Sequence, residues 1–136
     1  MNIFEFGTNL GLKKKDTDLE PGVKFLPAWL KENGFHQALR PENTYTLAPM
    51  DYAMEMDPFT GVRNTAGIID YAKRQAALFR QHFHETGFHV VIGGDCSILI
   101  GQAIALKQTG KYGLFFLDGH TDFMPPAEKR YFEEQM

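Results

Sequence analysis

Asp118-Gly119-His120-Thr121-Asp122 places two carboxylates and an imidazole within five positions, and Asp95-Cys96 upstream adds another carboxylate and the chain's single thiol. Acidic and imidazole groups suit a hard or borderline divalent ion, whereas a thiolate is a softer donor. In an extended chain Asp118, His120 and Asp122 point the same way, about 6.7 Å apart at each step of two residues. Oxygen and nitrogen ligands lie only ~2.0–2.2 Å from a small divalent ion. A straight strand therefore cannot close all three around one ion. Either the chain bends, which Gly119 permits, or the three serve two ions about 3.5–4 Å apart, as in binuclear hydrolytic centres. The plainer alternative is an Asp-Gly turn with an incidental histidine, but a turn has no need of the other two ligands.

A strand–helix–strand pattern positions these groups. Phe88 to Ile92 is a short apolar, β-branched run stopped by Gly93-Gly94. Cys96 to Gln108 is apolar all round, as a helix packed on a sheet is, and Gly110 ends it. Gly113 to Leu117 is a second continuous apolar run, which predicts a strand buried on both faces. Such a βαβ unit puts its two strands side by side and parallel, joined by a right-handed crossover. Ligands of open parallel sheets collect beyond the carboxyl ends of the strands. Asp95-Cys96 and Asp118 to Asp122 both fall there, so the pattern predicts that they face one crevice.

Gly93-Gly94-Asp95-Cys96-Ser97 followed by Asp118-Gly119-His120-Thr121-Asp122 resembles the first half of the ureohydrolase family, which includes arginase, agmatinase and formiminoglutamase. The family's motifs usually read Gly-Gly-Asp-His-Ser and Asp-Ala-His-x-Asp. The resemblance implies a three-layer α/β/α fold around a parallel sheet. It also implies a pair of manganese ions that activates water to hydrolyse a guanidino or related amidine carbon–nitrogen bond of a small molecule. By that match Asp118 bridges the ions, His120 binds one and Asp122 the other, and Asp118 and His120 act through the metal-bound water. Cys96 stands where the family usually has a histidine ligand, which shifts the expected metal from manganese towards zinc or iron. The family's later Asp-x-Asp ligand pair lies in its C-terminal half, and nothing after Asp122 reproduces it. The 136 residues are thus expected to form one arginase-like α/β domain cut to its N-terminal part.

Two other functions compete. Cys96, at a strand-to-helix turn, could act as a nucleophile, since a helix N-terminus lowers a thiol pKa. His120 would be its base, although the flanking carboxylates suit a metal better. Alternatively the chain keeps the fold without catalysis and serves in binding or assembly.

The remainder of the sequence supplies the scaffold. Asn2 to Gly7 alternates apolar and polar residues, a first strand. Leu10 to Asp18 reads as a solvated loop, and Asp16-x-Asp18 as a polar turn rather than a metal pair. Pro21-Gly22 starts a helix over Val23 to Lys31 that stops at Asn33-Gly34. Phe35 to Leu39 and Tyr45 to Leu47 are candidate short strands, and Ala48 to Gly61 a surface connection. Asn64 opens the longest helix, to about Thr86, with Ile68, Ala72, Gln75 or Ala76, Phe79 and Phe83 as its buried stripe. His36, His82, His84 and His89 are expected in surface or capping roles, and Ala127 to Gln135 as a helix.

Composition narrows the function classes. A net charge of −3 argues against a nucleic-acid or anionic-membrane footprint. No apolar run approaches the ~20 residues needed to cross a bilayer. One cysteine suits a reducing, cytoplasmic setting. A half-covered sheet leaves an exposed edge, which predicts a homo-oligomer.

Overall fold

Aromatic and β-branched side chains at Ile3, Phe4 and Phe6 suit a pleated surface covered on both sides, and all three are fully buried. They belong to β1 (Asn2–Phe6), the middle strand of a parallel sheet in the order β2-β1-β3. The computed structural model describes residues 1–14, 19–84 and 87–119. β2 (Asn43–Leu47) and β3 (His89–Gly93) flank β1, with Asn2 opposite Asn43 and His89, and Phe6 opposite Leu47 and Gly93.

Helices cover the two faces. Phe4 and Phe6 point to one side, into a core shared with Tyr71, Ala76 and Phe79 of α3 (Thr65–His82) and Ala105 of α4 (Ile98–Thr109). Glu5 points to the other side. There its carboxylate meets His36 of α2 (Phe35–Leu39), which follows a 3-10 turn (Gly22–Phe25) and α1 (Leu26–Glu32). The architecture is a parallel α/β sheet between helical layers, as the sequence pattern predicts.

Several expectations are corrected. Phe35–Leu39 is a helix, not a strand. Gly34 ends α1 at φ +85° and the chain coils again at once, with Phe35, His36 and Leu39 turned inward at helical spacing. His36 is therefore no surface residue: it is 8% exposed, with Nε2 2.8 Å from Oε1 of Glu5, itself 5% exposed. Thr46 donates its hydroxyl to the other oxygen of Glu5. The two buried polar groups face each other across this short contact, while Thr46 supplies the hydrogen bond to Glu5.

Leu10 opens the supposed solvated loop, yet it is buried against Gly67 of α3. Asn64 ties this loop down. Its amide donates to the Leu10 carbonyl at 3.0 Å, and its side-chain oxygen accepts from the Ala53 and Met54 amides at 3.0 and 2.8 Å. Among the remaining histidines, His82 stacks on Tyr45 at 3.8 Å between ring centroids and His89 lies edge-on to Phe4.

The largest correction concerns Gly113–Leu117, which forms no strand among the described residues. Leu114, Phe115 and Leu117 are 78%, 86% and 84% exposed. A strand needs a paired neighbour, and one buried on both faces needs two covering layers. β3 is an edge strand that pairs only with β1 among the described residues, yet the run before Asp118 does not join it and stays uncovered. The described sheet therefore has three strands rather than four or five. Asp16-x-Asp18, the helix stop at Thr86 and the helix over 127–135 lie outside the described residues. Among the described residues no helix is long and apolar enough to cross a membrane.

Candidate metal centre

The carboxyl ends of β1 and β3 are pressed together. Gly94 follows β3 where a Cβ would stand 1.9 Å from the Thr8 carbonyl oxygen and 2.8 Å from that of Val23. Only a residue without a side chain fits between the two backbones. On the core side Tyr71 donates its hydroxyl to the Gly7 carbonyl at 3.0 Å and approaches that of Leu47 at 3.4 Å. The ends of β1 and β2 thus hang on one phenol, and burial pushes its pKa well above the ordinary tyrosine value.

Asp95 performs the corresponding fastening at α4. Its Oδ1 accepts from the Ser97 amide at 2.8 Å and its Oδ2 from the Gly11 amide at 3.4 Å. It therefore closes an Asx turn just before the helix and staples the loop after β1 to that turn. The sequence reading missed this structural role, although an aspartate two residues before a serine at the start of an apolar helix is a recognisable signal.

Cys96 sits in the turn that opens α4, where its carbonyl accepts from the Leu99 amide at 3.1 Å. The side chain is exposed, and its Sγ lies 3.9 Å from Oδ2 of Asp118. Two of the four sequence-predicted ligands are thus brought together across α4. His120 and Asp122, the other two, lie outside the described residues. Among the described residues no three His, Cys, Asp or Glu side chains gather closely enough to hold an ion.

The pair fits a divalent ion in donor type and in spacing. Two donors bound to one ion at ~2.0–2.3 Å stand ~3–4 Å apart, and Cys96 and Asp118 have that separation.

A parallel α/β sheet with metal-competent side chains beyond its strand ends defines a class of proteins that use the carboxyl edge as their site. Within that class the chain belongs to the arginase family, whose sequence profile matches residues 10–134. An arginase of Neurospora crassa is similar, 28% identical over 121 residues, with 79% of this chain and 34% of that protein covered. The chain thus spans about a third of the length of that relative.

Proposed function

We propose that these residues contribute the first ligand group of a metal-dependent hydrolase of the ureohydrolase type, which cleaves a carbon–nitrogen bond of a small guanidino or amidine compound. The observation that carries this reading is the approach of Asp118 to Cys96 at the carboxyl edge of a parallel sheet, in a chain of the arginase family. Asp118, His120 and Asp122, with Cys96 at the fourth position, would hold the ions. Bound there, a pair of divalent ions supplies an activated water and the charge that stabilises attack at the guanidino carbon. The chain's own part is positional. Asp95 fixes the turn that carries Cys96, Tyr71 and Gly94 fix the strand ends beneath it, and Asp118 presents its carboxylate to the same space.

The reading is tested by calorimetric binding of manganese and zinc to the chain and to Asp118→Asn, with urea or ammonia release from arginine, agmatine and formiminoglutamate followed in parallel. Metal binding that weakens at least about tenfold in Asp118→Asn supports it. Binding that is absent, or unchanged in the variant, overturns it. No second Asp-x-Asp pair follows Asp122 in these 136 residues. Assayed by themselves they are therefore expected to show negligible turnover. Rates on the order of 1–1,000 per second would confirm the chemistry and show that the ligand set is complete after all.

The exposed run at Leu114, Phe115 and Leu117 supports self-association, with a second copy of the chain as the partner.

A further inference from the structure

We infer that Cys96 makes this centre selective for a borderline, thiophilic ion of the zinc class over manganese. The inference rests on the metal-dependent reading above and assigns its selectivity to one atom. Cys96 Sγ is exposed, so ions reach it from solvent, and it lies 3.9 Å from Asp118 Oδ2, so one ion can touch both.

The backbone beneath the thiol has little room to retreat. Before it, Gly94 is wedged against the Thr8 carbonyl, and after it, the Ser97 amide is held by Asp95. An ion taken up by Asp118 at this edge therefore meets sulfur as its neighbouring donor. Coordination expels the thiol proton to solvent, and the resulting thiolate binds zinc, cobalt(II) or iron(II) well. Manganese, which prefers oxygen donors and stands lowest in the divalent affinity order, gains least from it.

The experiment is metal competition on the full chain, with zinc, cobalt(II) and manganese, in the original sequence and in Cys96→Ser and Cys96→Asp. The cobalt spectrum needs no variant to be informative, since sulfur ligation gives an intense near-ultraviolet charge-transfer absorption that oxygen ligation does not. The expected result is that band in the original chain and its loss in Cys96→Ser, with the zinc-over-manganese ratio falling at least about tenfold in Cys96→Asp. Metal binding that needs Asp118 but shows no sulfur band, with a ratio unchanged in both variants, overturns the assignment to Cys96 and leaves the metal-hydrolase reading standing. Failure of the original chain to bind any of the three ions overturns both together.

Discussion

Gly94 and Gly113 flank the same helix, α4, and face opposite packing. A Cβ at Gly94 would collide with two carbonyl oxygens, whereas one at Gly113 would meet nothing within 4 Å. The stretch before the helix is fastened by Asp95 and by the close approach of two backbones. The stretch after it carries three strongly exposed apolar side chains up to Asp118. Cys96 and Asp118 thus come from opposite regimes, one on a fixed support and the other at the end of an uncovered run. The side that opens α4 can set a geometry. The side that closes it must be held by something further, such as an ion or another protein surface.

Substitutions break or sharpen this contrast, beginning with the largest effect. Gly94→Ala should cost about 2–4 kcal/mol, because backbone oxygens on both sides must give way. Gly113→Ala should stay within about 0.5 kcal/mol. Urea denaturation of the two variants decides, and equal midpoints would erase the contrast.

Tyr71→Phe keeps the ring but leaves the Gly7 carbonyl without its phenol, at a cost of about 1–2 kcal/mol. Its pH signature has a definite sign. The buried phenol holds its proton more firmly than in the unfolded chain, so the unfolded state ionises first. Stability from this group is full below the ordinary tyrosine pKa of about 10 and is lost as pH rises beyond it. Denaturation midpoints across the alkaline range should fall more steeply for the original chain than for Tyr71→Phe. Parallel curves would remove Tyr71 from the account.

Asp95→Ala should cost about 1 kcal/mol, since the Ser97 and Gly11 amides lose their side-chain acceptor. Hydrogen exchange should quicken at the Gly11 and Ser97 amides, and unchanged exchange there would show that Asp95 fastens nothing. The smallest effect on stability belongs to the uncovered run. Leu114→Asp with Leu117→Asp should change the denaturation midpoint by less than about 0.5 kcal/mol while reducing self-association by light scattering. A large loss of stability would mean that the run is packed after all.

Much of the scaffold was readable in the sequence because its signals are local. The apolar spacing of α3, the alternation of β1, the β-branched run of β3, and the glycines beyond α1 and α4 each lie within a few residues of the feature they specify. The place of Tyr71 beside the α3 stripe is not legible in the sequence, because its partners, the Gly7 and Leu47 carbonyls, lie far away along the chain. Glu5 and His36 were unreadable for a related reason, since a buried pair looks like two solvated residues until its partners meet. Phe35–Leu39 is too short for its period to separate helix from strand. Gly113–Leu117 shows the opposite failure, where apolar composition predicts burial but burial needs a partner that composition does not contain. For the candidate centre, the rule that sites lie beyond parallel strand ends accounts for Cys96, which follows β3, but not for Asp118, which follows a run that forms no strand.

The strand order carries a consequence for how the chain is made. β1 pairs on one side with residues 43–47 and on the other with residues 89–93. At synthesis rates of about 5–20 residues per second, the second partner emerges on the order of 4–17 s after β1 itself. For that interval the most deeply buried of the described strands has a free edge, and closing so long a loop is entropically slow even once the partner is present. The centre of the finished sheet is therefore the part of the nascent chain that waits longest, and a chaperone that shields Ile3, Phe4 and Phe6 would act in that window.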